Sequence, residues 1–162
     1  MLRPDQTNTI ERGLGAAIRS STPLQGGCVA TVALLDLSDG RRVVAKTDGT
    51  RAGTRAGTTD TGLGVEGRML SALAETGAVP VPGVLLAEPG LLVIEFVGND
   101  WQKSGGGEAE LADLIADLHA ADTGTDAFGY AFDTRIGGLI QVNTPEPTWP
   151  RFYARHRLLD MG

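Results

Sequence analysis

The stretch that decides the fold runs Leu24-Gln-Gly-Gly-Cys-Val-Ala-Thr-Val-Ala-Leu-Leu-Asp-Leu37, then Ser38-Asp39-Gly40, then Arg41-Arg-Val-Val-Ala-Lys-Thr47. Two apolar, β-prone runs flank Asp39-Gly40, a dipeptide that favours the tight turn of a β-hairpin. The first run is entered through Gly26, Gly27 and Cys28, and the second ends on Lys46. A lysine on a Val-Val-Ala strand is out of place, because a half-buried ammonium is costly without a partner. Glycines at one end of a hairpin let the backbone approach a ligand closely. Lys46 can reach the same ligand, so the pattern points to a phosphate site roofed by a hairpin. The alternative is an edge hairpin whose lysine snorkels to water.

Beyond the hairpin, Asp48 to Gly64 is low in complexity, with Arg-Ala-Gly-Thr in tandem at Arg51 and Arg55. It reads as a loop. No Gly-Lys-Ser/Thr follows its glycines, which excludes a Walker A loop. Helical spacing then predicts a helix from about Val65 to Thr76, stopped by Gly77. Glu66, Met69, Leu70, Leu73 and Ala74 share one face. Glu66 thus falls in an apolar stripe, just as Lys46 falls in an apolar strand. Two opposite charges, each misplaced within its own element, are most simply explained by pairing with each other. A first-turn glutamate that complements the helix dipole is the alternative for Glu66.

The next segment, Ala78-Val-Pro-Val-Pro-Gly-Val-Leu-Leu86, is extended at its prolines and then a strand. Leu91 to Val97 is the most apolar run and is expected to be a central strand, ended at Gly98. Trp101 to Gly107 reads as a linker. Glu108 to Ala121 is a clear helix with Leu111, Leu114, Ile115 and Leu118 as its buried stripe. His119, at the stripe's edge, reads as a packed or helix-end residue rather than a ligand. Phe128 to Gly138 looks irregular. Thr148 caps a last helix with Pro150 in its first turn. On the N-terminal side, Ile10, Leu14, Ala17 and Ile18 predict a helix over Thr9 to Ser20, capped by Thr7, Asn8 or Thr9 and ended by Thr22-Pro23.

With 162 residues, 41% of them apolar, the chain is long enough for an ordinary folded core. Its net charge of −6 argues against a nucleic-acid partner. No run is long enough to span a bilayer, and the first residues lack a signal region, so a cytoplasmic location and no membrane partner are expected. The single cysteine, Cys28, excludes an internal disulfide and a cysteine-cluster metal site.

The order of elements implies an α+β architecture: an antiparallel sheet with covering helices, hinged to a helical piece. This is the arrangement of a protein-kinase-like small lobe followed by the first helices of a truncated large lobe. The expected division is a nucleotide-binding lobe over 1–98, a hinge over 99–107, and the start of a helical lobe over 108–162. In such a lobe the lysine holds the α- and β-phosphates, the glutamate orients it, and the Gly-rich turn covers the phosphates. The expected nucleotide-binding residues are therefore Gly26, Gly27, Cys28, Lys46 and Glu66. The backbone of Glu95 and Val97 is expected to meet adenine, with little role for the Glu95 side chain.

The sequence resembles the fructosamine kinase (ketosamine-3-kinase) family, relatives of the aminoglycoside phosphotransferases. The resemblance begins at Gly26-Gly27-Cys28 and runs through Val44-Ala45-Lys46-Thr47, Glu66 to Leu73 and Gly77 to Pro82. It is most specific from Leu118-His119 through Phe128-Gly129-Tyr130, Asp133 to Gly137, Gln141 to Asn143, Trp149, Phe152 and Arg155 to Leu159. Thr134-Arg135 stand where the family usually has Asn and an aromatic residue, and Val142 replaces a proline. The resemblance implies transfer of the ATP γ-phosphate to the 3-hydroxyl of a ketosamine or glycated amine, with Mg²⁺, and puts Asp133 and Asn143 on the substrate side. Family members carry a later His-Gly-Asp-Leu-Trp loop and a magnesium-binding acid. Neither His119 nor His156 is followed by Gly-Asp. The chain is therefore expected to be the front part of a kinase, to lack catalytic and metal-holding residues, and to be inactive alone. Its apolar helix faces are expected to need a large lobe to cover them. A non-catalytic nucleotide- or partner-binding module derived from a kinase small lobe is the alternative. Many family members carry a cysteine at the position of Cys28, which implies redox sensitivity. With no second cysteine, an oxidised bridge is expected to join Cys28 to Cys28 across a homodimer; the alternative is a Cys28 that only packs a strand end.

Overall fold

The computed structural model describes residues 2–25, 30–48, 62–98, 107–122, 124–137 and 139–159. Its elements, in order, are α1 (Pro4–Leu14), β1 (Ile18–Leu24), β2 (Thr31–Leu37), β3 (Arg42–Thr47), α2 (Leu63–Thr76), β4 (Val84–Glu88), β5 (Leu91–Glu95), α3 (Gly107–Ala120), β6 (Thr134–Ile136), β7 (Leu139–Gln141) and α4 (Trp149–Tyr153). A π-helical turn, Ala154–Leu158, continues α4. Five strands form one antiparallel sheet in the order β1-β2-β3-β5-β4, and β6-β7 form a separate hairpin.

The expected hairpin is β2-β3, turned at Asp39-Gly40, with Val32 opposite Lys46 and Leu34 opposite Val44. β5 lies between β3 and β4, an interior position that matches its unbroken apolar sequence, although it ends at Glu95 rather than Val97.

Alternation along the strands sorts side chains onto two faces. One face carries Leu35, Leu37, Val43, Ala45, Leu91 and Val93, packed with Ile10 of α1 into the main core. The other carries Leu92 and Ile94, packed with Leu63 of α2 and flanked by Val44, Leu70 and Val84. α2 comes close because residue 67 is glycine: a Cβ there would stand 3.1 Å from both Ala87 Cβ and Leu92 Cδ1.

The N-terminal helix differs from its expected place. It starts at Pro4 and ends at Gly15, whose φ of 67° is left-handed. Arg3, not Thr7, Asn8 or Thr9, is the residue before the helix, and its N–H donates to Gln6 Oε1 at 3.0 Å. The apolar spacing continues through Ala17-Ile18, but Gly15 stops a helix in a conformation other residues avoid. The β-tolerant run Ile18-Arg-Ser-Ser-Thr-Pro-Leu24 then pairs with β2. Pro23 is accommodated because β1 is an edge strand, where a missing N–H need not break a ladder.

α3 covers nearly the expected range but buries no residue fully. Leu111 is 57% and Ile115 43% exposed while Leu114 and Leu118 are half-buried, so the apolar stripe is present but only partly covered. The stretch expected to be irregular contains β6, which pairs with β7 just beyond it. Among the described residues no helix is long and apolar enough to cross a membrane.

Candidate functional site

The face of the sheet that carries α2 also carries Lys46. Paired strand residues share a face, so Val32, Leu34, Val44 and Lys46 stand together there. Each of the four is only half-buried. Lys46 Nζ donates to Glu66 Oε1 in an ion pair that joins β3 to the first turn of α2. The two side chains are 26% and 37% exposed. A pair this wet contributes at most about 1 kcal/mol to stability. A half-buried ammonium on an apolar strand is therefore not explained by stability alone. What the arrangement does well is hold a positive charge at a fixed point above an apolar, accessible floor. That geometry suits an anion attached to a flat apolar group.

Glu95 lies at the end of β5. Its N–H donates to the Gly83 carbonyl at 2.9 Å, and its carboxylate accepts the Gly83 N–H at 3.0 Å. The side chain thus ties the end of β5 to the segment before β4, a task its sequence position did not announce. Because the Gly83 N–H goes to the carboxylate, it does not engage the Glu95 backbone carbonyl. Val97 follows two residues later and is exposed. Gly26, Gly27 and Cys28, with most of the loop from Asp48 to Gly64, lie outside the described residues, and so do Trp101 to Gly106.

Asn143 is turned inward onto Asp133, while Asp133 itself stays exposed. Asn143 is 3% exposed. Its N–H donates to Asp133 Oδ1 at 2.9 Å, and its side-chain amide donates to the Phe132 carbonyl at 3.1 Å and to Thr134 Oγ1 at 2.9 Å. Its Oδ1 accepts from Arg157 at 2.5 Å. Arg157 also donates to the Val142 carbonyl at 2.9 Å. The amide is fully used inside the protein.

A second buried polar centre was not legible in advance. Glu146 sits between Pro145 and Pro147 and is buried, receiving Arg151 at 2.7 Å and Arg155 at 3.1 Å, with His156 Nε2 at 3.6 Å. Its backbone bridges to Phe128 in both directions at 2.8 Å. The signal available in the sequence was an acid placed before two arginines four residues apart on one helical face. His119, the penultimate residue of α3, is exposed at a helix end. Among the described residues no group of three or more metal-ligating side chains converges.

Known proteins share this framework. The sequence profile of a family described as fructosamine kinase matches residues 4–161. A chloroplastic protein-ribulosamine 3-kinase of Arabidopsis thaliana is 34% identical over 94 residues, covering 55% of this chain and 28% of that protein. Its counterpart in Oryza sativa subsp. indica is 30% identical over the same length, with 27% of that protein covered. The matched stretch therefore spans little more than a quarter of these curated relatives. Among solved structures, a provisionally named fructosamine-3-kinase of Haemophilus somnus 129PT superposes with a TM-score of 0.75 at 22% identity. It covers 93% of this chain and 50% of that one. A similarly named protein of Thermobifida fusca gives 0.72 at 24% identity, with 95% and 51% covered. A macrolide 2'-phosphotransferase of Brachybacterium faecium gives 0.53 at 21% identity over 75% of this chain and 46% of that one. These neighbours place the antiparallel sheet and its helices in the kinase-like fold. The profile match spans the sheet, the lysine–glutamate pair and the Asn143 network alike, and by it the chain belongs to the fructosamine kinase family.

Proposed function

We propose that this chain provides the nucleotide-binding part of an ATP-dependent sugar-amine kinase, one that phosphorylates the 3-hydroxyl of a ketosamine or glycated amine. The observation that carries the reading is the Lys46–Glu66 pair on the half-open face of the sheet. In kinase-like folds a strand lysine held by a helix glutamate grips the α- and β-phosphates. Val32, Leu34 and Val44 on the same face form an apolar ceiling for the base. The Glu95 carbonyl and the Val97 backbone offer hydrogen bonds to its edge, the Glu95 N–H being given to the Gly83 carbonyl, and Glu95 is steadied by its side-chain hold on Gly83. Residues 1–98 are the nucleotide lobe in this reading, 99–107 the hinge, and 108–162 the start of the helical lobe. Gly26, Gly27 and Cys28 cover the phosphates. The residues present fit the triphosphate and base of ATP, which when bound supplies the phosphoryl group. Among the described residues no metal-ligating group of three or more side chains converges, and Mg²⁺ is left to the later acid that the family resemblance implies.

Two expectations follow for the 162-residue chain. It binds ATP, and it transfers no phosphate by itself, because neither of its histidines begins a His-Gly-Asp motif. Thermal unfolding with and without ATP tests the first. Ligand at a hundred times its Kd adds about 2.7 kcal/mol of stability, a shift that Lys46→Met and Glu66→Gln should remove while the unliganded melting point stays nearly constant. An unchanged melting point for the wild type at saturating ATP would overturn the reading and favour a binding module without nucleotide. Ketosamine-dependent ATP consumption by the purified chain would overturn the second expectation.

A further inference from the structure

α2 is held from two sides. One side packs on the sheet, with Leu63 against Leu92 and Ile94, and Glu66 on Lys46. The other meets the segment Phe132 to Arg135, which belongs to the second half of the chain. The Arg68 guanidinium lies 3.8 Å above the Phe132 ring. A Cβ on Gly62, the residue that opens α2, would stand 3.2 Å from Arg135 Cδ. Arg68 is two residues beyond Glu66, about 200° round the helix. The Phe132 ring therefore meets a side chain that springs from the face of α2 looking away from Glu66, while Arg135 closes on Gly62 at the start of the helix.

The pressing segment is itself rigid. Asn143 holds the Phe132 carbonyl and the Thr134 hydroxyl, Asp133 holds the Asn143 N–H, and Arg157 of the π-helical turn holds Asn143 Oδ1. A buried amide with every group satisfied is a stiff support, since releasing any one bond leaves a desolvated group unpaired.

We infer that the segment 132–135, pinned by Asn143 and Arg157, is a brace that positions α2 so that Glu66 meets Lys46. Phe132 and Arg68 are positioning residues acting through Glu66. In this reading Asp133 and Asn143 shape the phosphate site from behind rather than touching substrate. The inference rests on the proposed role of Lys46 only for its consequence on nucleotide, not for the brace itself.

The chain contains two lysines, Lys46 and Lys103, which makes the test internal to one protein. Brief acetylation with acetic anhydride, followed by mass spectrometry, reads the ratio of Lys46 to Lys103 modification. An amine locked on a carboxylate reacts slowly, and Glu66→Gln sets the ratio for an opened pair. Arg68→Gln, at an exposed position, and Phe132→Leu should each raise the ratio roughly two- to fivefold, as expected for loss of an exposed cation–π contact. Arg68→Lys and Phe132→Tyr should restore it. Melting curves of the same samples check that all are folded at the labelling temperature, and Arg68→Gln alone suffices if Phe132→Leu is not. If Arg68→Gln leaves the ratio at the wild-type value while Glu66→Gln raises it, the brace is refuted. If Glu66→Gln also leaves it unchanged, the pair does not hold Lys46 and the brace has nothing to position, which refutes it equally. ATP affinity of the same variants is read separately. Absence of ATP binding by the wild type with the labelling pattern as expected would sink the proposed function and leave the brace standing.

Discussion

At the scale of single residues, the chain uses polar groups in two distinct ways. Lys46 and Glu66 are half-exposed and cheap to separate, which suits the phosphate-holding role proposed for them. Asn143 is buried and saturated, as a structural support must be. The contrast predicts opposite mutational signatures. Asn143→Ala removes the partner of Arg157 and of the Thr134 hydroxyl and leaves them short of bonds in a dry site. It should cost about 2–3 kcal/mol of stability, read by urea denaturation. Lys46→Met should cost less than about 1 kcal/mol by the same measurement. Equal losses at both positions would contradict this division. The Lys46–Glu66 pairing was legible because each charge broke the pattern of its own element. The inward turn of Asn143 was not, since nothing in Gln-Val-Asn-Thr distinguishes an asparagine that faces a ligand from one that closes a loop.

At the scale of elements, the decisive contact is between α2 and the sheet. Gly67 lets the helix sit within 3.1 Å, Cβ to side chain, of Ala87 and Leu92. Gly67→Val would drive a branched side chain against Leu92, which is fully buried, and against the exposed Ala87. The expected result is a loss of about 1–3 kcal/mol in stability by denaturant titration, from overpacking. It should come with a weaker ATP-induced melting shift, because α2 must move outward and carries Glu66 with it. A Gly67→Val protein with wild-type stability would show that the helix is not seated as described. The helix and its stop at Gly77 follow from local spacing, but its depth against the sheet does not. Helical periodicity puts Glu66, Met69, Leu70, Leu73 and Ala74 on a common face, whereas the residues buried are Leu63, Val65 and Gly67. The first turn does the packing, and the later turns are wetter.

At the scale of the whole molecule, the sheet has a finished core while the second half presents apolar surface. Leu111 and Ile115 on α3, Ile136, Leu139 and Ile140 on the small hairpin, and Trp149, Leu158 and Leu159 near α4 are all exposed by more than two-fifths. An apolar patch of that kind favours association. The 162-residue chain is therefore expected to self-associate as its concentration rises, with a mass by sedimentation velocity above that of the monomer. Leu111→Lys with Ile115→Lys should shift it toward the monomer without lowering the melting point, since neither side chain is buried. A chain that stays monomeric at high concentration would show that these side chains are tolerated singly.

The sequence by itself determined the hairpin, the helix bearing Glu66, the two strands after it and the membership of a kinase family. The elements rest on patterns confined to a dozen or so neighbouring residues: an Asp-Gly turn between β-prone runs, an i, i+3, i+4 stripe, a charge where none belongs. The family rests on motifs spread along the chain from Gly26 to Leu159. Tertiary structure alone decided the rest. Ile18–Leu24 is a strand because β2 offers it an edge, not because its own residues refuse a helix. The segment around Phe132 acquires its shape from Asn143, ten or so positions away, and from Arg157 beyond that. The α3 stripe has the periodicity of a buried face and is only partly covered, because periodicity records which side is apolar and not what lies against it. Local preferences are summed along the chain, while burial depends on which distant groups arrive, and only the folded arrangement contains that second fact.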